Sequence, residues 1–363
     1  MSRPPALLKT IFFLVAGVCT ASAMGGGVPA TVLERPALMT PLASHSMLTA
    51  VSTHGGRVLA VGERGHVIVS EDQGNHWLQA RVPVRVTLTA VQLVDEKNGW
   101  AVGHGGVILR TTDGGMSWTK QLDGRAIGLL LQKNTTGDAR ESLLSEARQW
   151  IDDGPDKPIL DLHFWDANHG WVVGAYGLAL ATSDGGVTWT SVMDRIPNPD
   201  RRHIYSIRAS KGSVYMAGEQ GSVYRASERD GKFERLSIPY KGSFFDIVNA
   251  PGGAVLALGL RGNLFRSEDN GKTWQRIDLK SRYTLTHGIV RGDGSLLLVD
   301  EAGTGWLSED QGKAFRKLRF EKAFPLSSLV ELPSTEMILV GARGVMSGVT
   351  SGVTSTPMPE TKQ

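Results

Sequence analysis

From about Leu48 to Gly344, short apolar runs alternate with polar, glycine-rich breaks. The runs are too short for helices, and their even spacing predicts strands split by tight turns. Each unit resolves into four strands. Strand A is an apolar segment such as Leu48-Thr49-Ala50-Val51 or Phe244-Phe245-Asp246-Ile247. Strand B is short and ends on a Val-Gly pair, as in Val58 to Val61. Strand C follows, as in Val107-Ile108-Leu109-Arg110, and strand D runs on from a recurring tryptophan.

Two motifs punctuate the units. The first is Ser/Thr-x-Asp-x-Gly-x-x-Trp, at Ser70-Asp72-Gly74-Trp77, Thr111-Asp113-Gly115-Trp118, Thr182-Asp184-Gly186-Trp189 and Ser267-Asp269-Gly271-Trp274. A fifth copy, Ser308-Asp310-Gly312-Phe315, has Phe for Trp, and a degenerate one spans Ser227 to Phe233. The spacing of 41 residues from Asp72 to Asp113 recurs from Asp269 to Asp310, a period typical of propeller blades. The second motif is Val-Gly-x-x-Gly or a near relative. It begins at Val61, Val102, Val173, Ala217, Leu258 and Val340, with a weaker copy at Val299 to Gly303. Seven such turns predict an all-β, seven-bladed β-propeller. The seventh unit runs short of chain, and Ala30 to Arg35 is expected to supply its outer strand.

One segment breaks the period. Between blades two and three, Gly124 to Pro158 is inserted, and Asp138 to Ile151 within it has helical spacing. Leu143, Leu144, Ala147, Trp150 and Ile151 share one face, Asp138 suits the N-cap, and Asp152-Asp153-Gly154-Pro155 ends the helix. The preceding Gly128-Leu129-Leu130-Leu131 is apolar too. This face is expected to contact a partner.

Composition narrows the setting. Arg3 and Lys9, the apolar Ile11 to Val18, and Ala21-Ser22-Ala23 follow one another as the parts of a secretory signal. Residues 1–23 are therefore expected to be removed near Ala23, placing the mature chain in the periplasm or outside the cell. Domain bounds follow as signal 1–23, propeller 24–347 and a disordered tail 348–363. The single cysteine, Cys19, lies within the signal, so thiol chemistry and disulfides drop out of the mature chain. No later run is long enough to span a bilayer. Formal charge is +3 without a clustered basic stripe, which argues against nucleic acid. Neither metal nor cofactor is expected, and the chain reads as a monomer.

The repeated aspartates invite a catalytic reading, but residues repeated in every blade cannot converge on one substrate. An Asp at a hairpin accepts nearby backbone N–H groups, the glycine permits positive φ, and the Trp packs between sheets. The Asp boxes resemble the BNR repeats of sialidases. Paired with Val-Gly-x-x-Gly across roughly residues 45 to 346, they more closely resemble the photosystem II stability/assembly factor family. That resemblance implies a seven-bladed propeller that assists membrane-protein assembly without catalysis. The sialidase alternative has little support: Arg195-Ile196-Pro197 follows the third box, on an expected outer strand, rather than preceding the first. No acid pair of the kind that glycoside hydrolysis needs can be placed.

Candidate binding residues lie where units differ. The B–C turns carry Arg64, His104, Tyr176, Glu219 with Gln220, Arg261, Glu301 and Arg343, a ring on the face from which the insertion also emerges. Its three arginines suit a carboxylate, a peptide C-terminus or a lipid phosphate. Around the axis, strand A offers Asp161, Ser206, Asp246, His287 and Ser328, with Ala50 and Ala90 completing the circle. Asp161 and Asp246 alone fall short of the six or more oxygens that Ca²⁺ takes. The expected partner is a membrane or envelope protein. A glycan- or polyanion-binding module is the second reading.

Overall fold

The computed structural model describes residues 31–133, 140–210, 212–229, 231–320 and 324–349. The expected signal, Asp138 and the tail beyond Val349 lie outside them. Among the described residues the strands form seven antiparallel sheets, six with four strands and the last with three. Blade one runs Leu48–His54, Arg57–Gly62, Val67–Ser70 and Leu78–Gln79 as strands A to D. Each sheet keeps this order from the axis outward. The period-2 apolar pattern seats one row of each strand between neighbouring sheets, and strand B is buried along nearly its whole length in every blade.

The Asp boxes are hairpin clamps. In the second blade, Asp113 Oδ1 accepts the Ser117 amide at 3.0 Å and the Thr111 hydroxyl at 2.8 Å. The Gly115 amide donates to Thr111 Oγ1, and Trp118 Nε1 returns to the Gly115 carbonyl, each at 2.9 Å. Blades one and five repeat this set around Asp72 and Asp269, and blade three repeats it around Asp184 without the indole bond. Blade six repeats it without the Trp. Gly115 sits at φ 96°, where a side chain would be strained and would meet Leu59 of the preceding blade. The hydrogen bonds hold Asp72 and Asp269 at a pKa of about 2, with His76 and Thr273 the leading donors. Asp113→Ala is expected to cost about 1 kcal/mol in urea unfolding. A similar cost for Asp184→Ala, with no change in partner capture, would separate these residues from any site.

Two expectations are corrected here. Thr31 to Arg35 is a turn rather than the outer strand of blade seven, since the Thr31 carbonyl accepts the amides of Glu34 and Arg35. Leu33 is buried against blades one and two, beside Gly105. Arg195-Ile196-Pro197 lies just beyond the outer strand Thr190–Ser191, with Met193–Arg195 forming a short 3-10 turn. The last described strand is Gly344–Val349.

The insertion contains two helices, α1 (Gly124–Lys133) and α2 (Arg140–Asp152). The apolar Gly128 to Leu131 stretch therefore lies in a helix of its own. Gly154, at φ 78°, terminates the segment as the sequence suggests. No helix among the described residues is long and apolar enough to cross a membrane.

Candidate binding face and channel

One repeated device builds the face that carries the B–C turns. In all seven blades the first turn residue donates its amide to the carbonyl of the residue preceding strand A. Glu63 bonds Met47, His104 bonds Thr87, Ala175 bonds Pro158 and Glu219 bonds His203, at 2.9–3.0 Å. Leu260 bonds Ser243, while Glu301 bonds Thr284 and Ala342 bonds Pro325, at 3.0–3.1 Å. This carbonyl passes so close that a Cβ on the preceding glycine would collide with it, at Gly62, Gly103 and Gly341 for example. Close approach, not φ, requires glycine there.

Blade six has Asp300 at that position instead. Its fully buried carboxylate accepts the amides of Ala302 and Thr304 and the indole N–H of Trp306, at 2.9–3.0 Å. Those bonds satisfy a charge that would otherwise be costly to bury.

With the first residue tied down, the second projects. Arg64, Tyr176, Gln220 and Arg261 sit at φ 52–56°, and all are exposed. His104, Glu301 and Arg343 are exposed as well, and Glu219 is half-buried. Three first-position glutamates bond to the backbone: Glu63, Glu219 and Glu301 accept the amides of Met47, His203 and Thr284. These carboxylates are used in the fold, while the arginines point outward.

The insertion is fastened to the same face. Gly124 lies against Gly106, and Ile127 is fully buried. Ala147 and Trp150 are buried within the chain, so they hold the insertion down rather than meeting a partner, contrary to the sequence expectation. Leu144 is half-buried, Ile151 is exposed, and the Leu143 side chain lies outside the described set. Leu129 is also exposed. Lys157 acts as a peg. Its Nζ bonds Asp153 and Asp156 at 2.9 Å and stands over the rings of Trp150 and Tyr176 at 5.2 and 5.8 Å. Burial opposes its charge, but the two carboxylates outweigh it and raise the Lys157 pKa.

Strand A bulges at its second residue in every blade. The second and third residues therefore both reach a central cavity of 640 Å³. The third position delivers the expected lining: Ala50, Ala90, Asp161, Asp246, His287 and Ser328 border the cavity. Ser206 stands behind them and bonds Asp246 Oδ1 at 2.9 Å. The second position makes the mouth asymmetric. Thr49, Thr89, Thr286 and Ser327 form a hydroxyl side, while Leu160, Tyr205 and Phe245 form an apolar one. An aromatic line leads from the turn into this mouth. Tyr176 meets His203 at 5.0 Å between centroids, His203 meets Tyr205 at 6.2 Å, and Tyr205 meets Phe245 at 5.1 Å.

Asp161 and Asp246 do not form a cation cage of their own. Arg208 lies between them, bonding Asp161 Oδ2 through Nη1 and Asp246 Oδ1 through Nη2 at 3.0 Å. Asp246 Oδ2 also takes His287 Nδ1 at 2.8 Å and the Gly288 amide at 3.1 Å. Burial raises the pKa of Asp246, but Arg208 and His287 overcome it and hold it at about 2. Burial prevails at Asp161, whose pKa is raised. His163 is lowered to about 4 by burial and then by Arg208. Arg208, Tyr205 and Phe245 were not singled out from the sequence. Comparing strand A between blades would have shown them, since an arginine five residues into the strand occurs in blade four alone.

These features define a seven-bladed β-propeller with one ornamented face and a buried charge cluster in its channel. The chain belongs to the family described as Photosynthesis system II assembly factor YCF48, whose model matches residues 69–133 and 141–275. The Photosystem II assembly lipoprotein Ycf48 of Synechococcus sp. (strain CC9902) is 22% identical over 192 residues, 52% of this chain. That match spans about half of the relative, 49% of its length. Among solved structures, YCF48 bound to D1 peptide aligns over 87% of this chain and 99% of its own, with TM-score 0.64 and 15% identity. YCF48 from Cyanidioschyzon merolae covers 85% and 97%, with TM-score 0.63 and 17% identity. The GH74 enzyme of Niastella koreensis covers 84% and 52%, with TM-score 0.60 and 10% identity, a likeness of fold.

Proposed function

We propose that the chain is a non-catalytic periplasmic propeller that binds a segment of a membrane or envelope protein during assembly. The observation that carries this reading is the sevenfold turn device, one repeated geometry that displays a side chain from each of seven blades, three of them arginines. Arg64, Arg261 and Arg343 on that face suit the carboxylates of an extended or C-terminal peptide. Exposed Leu129, Ile151 and Tyr176 add apolar contact beside them. The non-catalytic part rests on where the acids go. The box aspartates clamp hairpins, and the two channel aspartates grip a guanidinium. The solved relative bound to a D1 peptide makes a protein segment the natural class of ligand. Removal of the signal near Ala23 would deliver the chain to the periplasm.

Affinity capture from an envelope extract tests this. The triple variant Arg64→Ala, Arg261→Ala, Arg343→Ala is expected to lower recovery of the partner at least about tenfold with an unchanged urea midpoint. Undiminished recovery would remove the turn ring from the site. Deleting the whole insertion is the poorer test, because Ile127 and Trp150 belong to the core.

A further inference from the structure

Charge and apolar exposure divide unequally between the two faces. One face holds the A–B turns and C–D hairpins, and there the Asp boxes place a carboxylate in five blades, joined by Asp95, Asp166 and Asp293 in the A–B turns. The opposite face carries the B–C turns and D–A linkers. From blade four round to blade one it presents Lys241, Arg261, Lys280, Arg282, Arg343 and Arg64, all exposed. The acids interspersed there, Glu63, Glu219, Asp278 and Glu301, each accept a backbone amide at or near the entries to strand A.

The same sector carries exposed apolar side chains. Leu42 is 64% exposed and Met47 41% exposed on the segment leading into strand A of blade one. That segment crosses the turn of blade seven, where Ser44 and His45 abut Gly344. Tyr283 is exposed in the linker between blades five and six, between Arg282 and Thr284. Arg282 lies over the Tyr283 ring at 5.4 Å. Cations interleaved with Leu, Met and Tyr on one side, opposite a carboxylate-rich side, match the needs of an interfacial surface.

We infer that this sector lies against the headgroup region of an anionic phospholipid bilayer. The segregated charge turns the molecule so that its basic face meets the membrane, and Leu42, Met47 and Tyr283 enter the interface once it is there. Lipid is favoured over an acidic protein as occupant. The basic groups are spread around an arc of blades rather than gathered in a cleft, and the apolar residues stand singly among them. The inference goes beyond the proposed function, and it uses Lys241, Lys280, Arg282, Leu42 and Met47, none of which that proposal requires.

Vesicle flotation with the chain from Met24 onward tests it, so that the apolar signal is left out. The chain is expected to float with phosphatidylcholine vesicles containing about 30% phosphatidylglycerol at about 50 mM salt. It should float neither with phosphatidylcholine alone nor at about 500 mM salt. Lys241→Glu, Lys280→Glu, Arg282→Glu together should weaken binding at least about tenfold. Leu42→Ser with Met47→Ser should reduce what remains at moderate salt. Lys272→Glu with Lys313→Glu, on the opposite face, should leave flotation unchanged, which separates a docking face from net charge. Absence of flotation on anionic vesicles by the folded chain would overturn the inference, as would equal loss from both charge reversals. In the first case, intact capture of a protein partner would leave the proposed function standing.

Discussion

Exchanging Arg208 for Met is expected to destabilise the chain by about 3–5 kcal/mol at about pH 8, and by clearly less at about pH 5. Arg208 is the cation shared by Asp161 and Asp246, which reach it from blades three and five. Removing it leaves two buried carboxylates without the cation they share. In the natural chain Asp246 is held at about 2, below the ordinary 3.8. Its stabilising contribution is therefore in full force above that ordinary value and is lost only as pH falls toward 2. Without Arg208 the sign reverses. Burial then raises Asp246 and raises Asp161 further, the folded state prefers both protonated, and stability is lost as pH rises above their unfolded values. Urea unfolding of the variant at the two pH values reads this directly. A penalty equal at both would mean that Arg208 matters for packing rather than charge. Neutralising all three, as Asp161→Asn, Arg208→Met, Asp246→Asn, should recover most of the loss, because the isolated charges are the costly state.

The repeat was readable from sequence because its chemistry is local. An Asp box closes its own hairpin within eight residues, and a Gly-x-x-Gly turn needs only its neighbouring strand. Period and turn count together therefore specified a seven-bladed propeller and the face on which the variable turn residues stand. What escaped was non-local. Arg208 meets Asp161 and Asp246, which lie 47 residues before it and 38 after it, so no window along the chain joins them. The expected strand at Ala30 to Arg35 failed for a related reason. The run Thr31-Val32-Leu33 has strand-like composition, but Leu33 finds its buried site against blades one and two, and the chain turns to reach it. Likewise, the apolar spacing of the insertion foretold a buried face without saying what would bury it. Trp150 and Ala147 turned out to be buried within the chain itself.

Among the described residues blade seven has three strands, which has a mechanical consequence. Other inter-blade seams include polar bonds between neighbours. Thr49 Oγ1 donates to the Leu88 carbonyl at 2.6 Å, Thr89 Oγ1 to that of Ile159 at 2.7 Å, and Arg291 pairs with Glu331 at 2.9 Å. The seam between blades seven and one is closed by apolar packing, with Leu332, Ile338 and Val340 set against Leu48, Val51 and Ile68. Ile338 is fully buried, and its Cδ1 fills the space left by Gly74, which at φ 90° opens the first Asp-box hairpin to it. Ile338→Ala is therefore expected to cost about 2–5 kcal/mol, with the cavity opening at the seam between the last blade and the first. Hydrogen exchange should report the position as well as the size of the effect. Amides of Met337–Gly341 and Arg57–Gly62 should lose protection before those of blades three to five. Uniform loss around the ring would mean that the propeller opens as one cooperative unit, and that closure through apolar packing alone is as firm as the polar seams.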